Sequence, residues 1–286
     1  METTQLNSPL AQVQWLAQNL KNKNVVVLDA TLPKAVVGDS DGGVSTHRIP
    51  GARFFDIKNT FSITTAPFPN TRIDSVSFIE KARLLGINKD SMIIVYDDHG
   101  IYSSARAWWM FKAMGHNQVA VLDGGLKSWL EAGYSTEEKT EISLEKGDFE
   151  GTYKKEFFKD SHNVLQLLDH ESELIVDARA ADRFQGLVKE PREGLRSGHI
   201  PGSINIPYTD LLHDGKMIEK SEIKNVFKNR ISTDKHITFS CGSGITACVL
   251  ALGASLSGYK NLSVYDGSWT EWGSVETLPI ETGKSN

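Results

Sequence analysis

Short apolar runs rich in β-branched residues recur along the chain, each closed by an acidic or otherwise polar residue. Val25-Val-Val-Leu-Asp-Ala30 and Leu174-Ile-Val-Asp-Ala178 read as buried strands that stop in a loop. Met92-Ile-Ile-Val-Tyr-Asp97 and His236-Ile-Thr-Phe-Ser-Cys241 have the same character, as do Val121-Leu-Asp-Gly-Gly125 and Val264-Tyr-Asp-Gly-Ser268. Between them lie apolar stretches of helical length, Ser104 to Met114 and Thr246 to Ser257. Strands that are apolar throughout, alternating with helices, predict an α/β fold with a mainly parallel sheet.

Written against itself, the chain is a duplication. Asp29 pairs with Asp177, Pro50 of His47-Arg-Ile-Pro-Gly-Ala52 with Pro201 of Gly198-His-Ile-Pro-Gly-Ser203, Asp97 with Cys241, and Asp123 with Asp266, at offsets of 148, 151, 144 and 143 residues. Each copy places a tryptophan five residues after the glycine that follows the last aspartate, Trp129 and Trp272. Near-constant offsets in unchanged order predict two tandem domains, each a mainly parallel sheet flanked by helices. The polar stretch Ser135 to Asp148 has no apolar period and reads as an exposed linker. The expected division is a first domain over 1–139, a linker over 140–153 and a second domain over 154–286.

Composition narrows the function. The 286 residues are 40% hydrophobic and 23% charged, which is globular and neither disordered nor fibrous. A net charge of -5 without a Lys/Arg run speaks against nucleic acid as a partner. The longest apolar run, around Ile245 to Leu256, is interrupted by Gly and Ser and falls short of the roughly 20 residues of a membrane span, so no membrane partner is expected. The first residues carry no basic start followed by an apolar stretch, and a cytoplasmic address is expected.

Only two cysteines occur, Cys241 and Cys248, at a spacing that suits neither a disulfide framework nor a zinc site. Cys248 lies in an apolar run, expected about two helical turns beyond Cys241, and reads as a small buried hydrophobe. Cys241 stands where a strand stops and a helix begins, with Gly242-Ser-Gly-Ile-Thr246 between. Two glycines permit a tight loop whose N–H groups point inward at the helix N-terminus, an anion-binding nest that favours thiolate over thiol. Cysteine-based phosphate-ester cleavage wants an arginine after five intervening residues, and Ala247 stands there. A papain-type hydrolase needs a histidine partner that the sequence alone does not assign. Sulfur transfer asks least of such a loop, because a persulfide is itself an anion. No metal or organic cofactor motif is visible.

The duplication and Cys241-Gly-Ser-Gly-Ile-Thr-Ala247 resemble the two-domain rhodanese-type sulfurtransferases, and within them those acting on 3-mercaptopyruvate. Tyr102-Ser-Ser-Ala-Arg-Ala-Trp-Trp-Met110, Leu122-Asp-Gly-Gly-Leu126, Asp177-Ala-Arg-Ala-Ala-Asp-Arg-Phe184 and Tyr265-Asp-Gly-Ser-Trp-Thr-Glu-Trp272 carry the resemblance across both halves. It implies two rhodanese-like domains, the second catalytic through Cys241 and the first non-catalytic with Asp97 at the cysteine's place. It implies an enzyme that moves sulfane sulfur from a small donor through a Cys241 persulfide to a thiol or cyanide, a protein thiol among the possible acceptors. Donor contacts then fall to Gly242, Gly244, Ile245 and Thr246 of the loop, and to Arg183 and Arg192, which would fork onto a carboxylate. Arg179 is the weaker candidate, with a structural role as its alternative. Thiosulfate-preferring relatives place basic residues after the cysteine, where this chain has Gly242 and Ser243.

The resemblance also implies a relay joining Ser243, a second catalytic candidate, to an acid and a histidine. Lys58 stands where the acid is expected, Asn70 or Pro69 where the histidine is, and no histidine lies between His47 and His99. The relay therefore reads as broken. Asp56 reads as structural, and His47 and His199 as hydrogen-bonded turn residues. Two alternatives stay open: thiosulfate or a protein persulfide as donor, or a sulfur-carrier module of low turnover.

Overall fold

The computed structural model describes residues 5–33, 44–231 and 235–284. The chain divides into two compact units, the first over 1–62, 72–154 and 214–217, the second over 63–71, 155–213 and 218–286. Each is built on a five-stranded sheet.

In the first unit the strand order is Leu10–Ala11, Val119–Leu122, Met92–Tyr96, Val25–Asp29 and Arg53–Phe54, all parallel. In the second it is Phe158–Lys159, Leu262–Tyr265, His236–Ser240, Glu173–Asp177 and Ile204–Asn205, again parallel. The matched strands occupy matched places, so the duplication read from the repeats is a duplication of topology. The central strands are apolar because parallel strands are covered on both faces, and Met92–Tyr96 is buried at every position.

Local chemistry explains why the repeated motifs are repeated. In Ile49-Pro-Gly-Ala52 and Ile200-Pro-Gly-Ser203 the fourth residue's N–H returns to the isoleucine carbonyl, at 2.9 and 3.1 Å. Gly51 and Gly202 take φ of 74° and 68°. These are turns that want Pro second and Gly third, since proline presets φ and only glycine enters the left-handed region without strain. The strand-ending aspartates serve as Asx caps: Asp29 accepts from the Thr31 N–H at 3.0 Å and Asp177 from the Arg179 N–H at 2.9 Å.

The predicted helices form at Ser104–Ala113 and Ala247–Ser257. The second is buried from Ala247 to Ala254 and ends on Gly258 at φ 96°, the left-handed C-terminal stop that glycine supplies. The stretch 135–148 does not stand free. Glu137–Glu138 pairs antiparallel with His47–Arg48, Gly147 N–H bonds Arg83 O at 2.9 Å, and Lys146 reaches Glu80 at 2.7 Å. The anchor is Phe149, which sequence polarity upstream conceals. It is fully buried against Phe78 and Phe111, with ring centroids 6.2 and 5.7 Å away, in a cluster that also holds the stacked pair Phe55 and Phe61.

Phe149→Ala should therefore destabilise the protein by about 3–5 kcal/mol, the usual cost of emptying a buried aromatic site. Urea or thermal unfolding measures it, and a loss below about 1 kcal/mol would show that 135–154 contributes no core.

Candidate functional site

Cys241 is the first residue after the strand His236–Ser240 and is 1% exposed. Past the strand end no neighbouring strand satisfies the loop's backbone, so other partners must. They come from the segment that follows the last strand. Trp269 N–H donates to Cys241 O and Thr270 N–H to Gly242 O, both at 2.9 Å, and Thr270 Oγ1 reinforces the second at 2.5 Å. Ser268 Oγ accepts the Cys241 N–H at 3.1 Å, donates to Tyr265 O at 2.8 Å and stands 4.0 Å from Cys241 Sγ. To do so Ser268 adopts φ 49°, a conformation uncommon outside glycine, where the first unit has Gly125 at φ 56°. Sequence reasoning overlooked Ser268 and Thr270; the register of Asp123-Gly-Gly against Asp266-Gly-Ser was the available signal.

The first unit shows how the matching loop holds an acidic side chain. Asp97, wholly buried, accepts the N–H groups of His99, Tyr102 and Ser104 at 3.0, 2.9 and 2.8 Å, and its carbonyl accepts the Leu126 N–H at 3.1 Å. Three converging donors favour the carboxylate, yet burial outweighs them and pushes the carboxyl above its usual range. The positions matching His99 and Tyr102 are Ser243 and Thr246, whose N–H groups donate to no protein acceptor among the described residues. Gly244 takes φ 75°, as Gly100 takes 99° in the first copy.

The remaining predicted site residues separate into two sets. Gly242 lies beside the arginines: a Cβ added to it would stand 3.5 Å from Arg183 Nη2 and 3.9 Å from Arg192 Nη1. Thus Cys241, Gly242, Arg183 and Arg192 converge. Ile245 is different: the residue is 5% exposed and its carbonyl accepts the Cys248 N–H at 3.1 Å. Thr246 precedes the helix without a side-chain cap bond. Cys248 corrects the expectation of two turns of separation. The helix begins at Ala247, so Cys248 sits in its first turn, buried, with Sγ on Gly244 O at 3.4 Å.

Arg179 is framework. It is 2% exposed, forks onto Asp177, reaches Glu190 and Gly198 O, and lies 4.2 Å above the Trp269 ring. Asn70, within the segment 63–71 of the same unit, donates Nδ2 to Ser243 Oγ at 3.1 Å and to Ser243 O at 3.3 Å. Asp56 accepts from the Asn59 N–H at 3.0 Å, and Lys58 is exposed. His199 is buried, stacked on Phe184 and bonded to Phe184 O at 2.8 Å, while His47 is exposed. No group of three or more metal-ligating side chains occurs among the described residues, and no described helix is long and apolar enough to cross a membrane.

The model of the rhodanese-like domain matches this chain twice, over residues 12–132 and 160–274. The 3-mercaptopyruvate sulfurtransferase of Mus musculus is 40% identical over 282 residues, covering 95% of this chain and 94% of its own. The thiosulfate sulfurtransferase of Rattus norvegicus is 34% identical over 282 residues, covering 96% and 94%. The crystal structure of SseA from Escherichia coli, described with the rhodanese fold of 3-mercaptopyruvate sulfotransferases, superposes with a TM-score of 0.81 at 35% identity, covering 92% of this chain and 99% of that one. With both halves matched and full-length relatives of this identity, the chain belongs to the two-domain rhodanese-type sulfurtransferases.

Proposed function

We propose that the enzyme takes sulfane sulfur from 3-mercaptopyruvate onto Cys241 and passes it to a thiol or cyanide. The observation that carries this reading is the convergence of Arg183 and Arg192 at Gly242, directly after the cysteine. Guanidinium forks suit a carboxylate, and the two residues after Cys241 bring no further cation.

In the reaction the Cys241 thiolate attacks the donor's sulfur and an S–S bond forms as the donor's C–S bond breaks. The electron pair of that bond passes to the methylene carbon, giving pyruvate enolate. The proton lost from the donor sulfur balances the one the enolate takes up, so pyruvate and a Cys241 persulfide result. Cyanide or a thiolate then attacks the outer sulfur, yielding thiocyanate or a new persulfide and returning the Cys241 thiolate. The N–H groups of Ser243 and Thr246 are the natural donors to the persulfide anion, by analogy with those that hold Asp97. An arginine pair that holds the carboxylate fixes the donor sulfur in line with Sγ.

A cytoplasmic address is proposed, and two free thiols fit it as they fit any reducing compartment. The proposed domain roles follow from the same comparison: the second unit reacts, and the first holds a carboxylate where the sulfur would be. The rat relative's name keeps thiosulfate as the competing donor.

Pyruvate release and thiocyanate formation, compared for the two donors under equal conditions, test the proposal. A higher kcat/KM for 3-mercaptopyruvate is expected, and a preference for thiosulfate would overturn it. Ser243 supplies a second test. Its hydroxyl oxygen accepts from the Asn70 amide, a group that is neither an acid nor a base near neutral pH, so Asn70 cannot serve Ser243 as the base of a relay. Ser243→Ala should lower kcat by less than about tenfold, below the 10²–10⁴ typical of general acid–base groups. A larger loss with the fold intact would mean the hydroxyl moves a proton in the reaction.

A further inference from the structure

Glu190 lies in the loop that leads to Arg192 after the short helix Ala181–Phe184, which carries Arg183, and its side chain is 1% exposed. Its carboxylate accepts from Arg183 twice, at 2.5 Å from Nη2 and 3.3 Å from Nε, and from Arg179 Nη1 at 2.9 Å. Arg179 in turn is paired with Asp177 at 2.6 Å. Two carboxylates and two guanidinium groups thus form one chain whose formal charges cancel. Arg192 stands outside it. Its Nη1 donates to the neutral Thr270 Oγ1 at 3.3 Å, and among the described residues no carboxylate pairs with it. Although two guanidinium groups face Gly242, the cluster therefore offers one net positive charge there, not two.

We infer that Glu190 sets donor specificity by cancelling the charge of Arg183 while holding its guanidinium in place. The resulting single positive charge matches the monoanionic carboxylate of a 2-oxo acid, whereas thiosulfate is a dianion. Arg183 contributes oriented N–H donors, and Arg192 contributes the charge. Glu190 touches no reacting atom in this account, so it is a positioning residue. The inference rests on 3-mercaptopyruvate being the donor, which the wild-type comparison of donors tests separately.

Coulomb attraction scales with the product of charges, so a second net positive charge helps a dianion twice as much as a monoanion. Removing the Glu190 charge should therefore favour thiosulfate. Glu190→Gln is expected to shift the ratio of kcat/KM for 3-mercaptopyruvate over thiosulfate toward thiosulfate by about tenfold or more at low ionic strength, and by less in high salt. Glu190→Asp keeps the charge on a shorter arm. It should raise KM for both donors yet leave the ratio within about threefold of wild type, whereas Glu190→Gln, which keeps the size of the side chain and removes its charge, should move the ratio. If Glu190→Gln does not fold, Glu190→Asp carries the test through the same ratio, and a shift of about tenfold or more toward thiosulfate in it, with the charge kept, would overturn the inference. So would an unchanged ratio in folded Glu190→Gln. A wild-type enzyme that prefers thiosulfate would instead remove the donor assignment on which the inference rests.

Discussion

Two backbone hydrogen bonds, Trp269 N–H to Cys241 O and Thr270 N–H to Gly242 O, hold the Cys241 loop against the rest of its unit. A loop leaving the end of a buried parallel strand loses its sheet partners, and an unpaired buried carbonyl costs about 1–3 kcal/mol. The segment after the last strand supplies those partners, and it must turn back sharply to do so. Gly125 makes that turn in the first unit, where a Cβ would meet Asp97 O at 2.2 Å. Ser268 makes it in the second at φ 49°, and its hydroxyl takes the Cys241 N–H. A left-handed serine costs on the order of 1 kcal/mol or more, which the hydrogen bonds around it offset. Backbone strain at this point is thus coupled to the position of the sulfur.

The second organising element is the buried charge chain of Asp177, Arg179, Glu190 and Arg183. Charges so buried stabilise little unless every partner is satisfied, and removing one typically costs several kcal/mol. Its members are held by forked geometry: Arg179 contacts both oxygens of Asp177, and Arg183 contacts both of Glu190. Stacking of Arg179 on Trp269 ties this chain to the residue that bonds Cys241 O. The arginines that face Gly242 and the loop that carries the cysteine are therefore parts of one packed arrangement, which fixes their separation without any direct bond between them.

Much of this was legible in the sequence where short-range chemistry governs. The Ile-Pro-Gly turns, the Asp-Ala strand ends and the pairing of Asp97 with Cys241 are local signals repeated at near-constant offset, and each appears in the fold with the geometry its residues dictate. Helix onset was less legible, because nothing in Gly-Ile-Thr-Ala-Cys distinguishes a first turn from a second, and Cys248 consequently lies nearer the loop than the sequence suggested. Glu190 was illegible: a glutamate between Lys189 and Pro191 in a charged loop looks solvated, and only tertiary contact with two arginines buries it. Asn70 marks the same limit, since its bonds to Ser243 join residues 173 apart.

The account stands on Cys241 as the atom that accepts sulfur. Incubating the enzyme with one equivalent of 3-mercaptopyruvate and no acceptor, then locating added mass by fragmentation within the peptide that holds both cysteines, tests this directly. A gain of roughly 32 Da, one sulfur atom, is expected on Cys241 with a matching release of pyruvate, and none in Cys241→Ser. Sulfur retained on Cys248, or label persisting in Cys241→Ser, would contradict it.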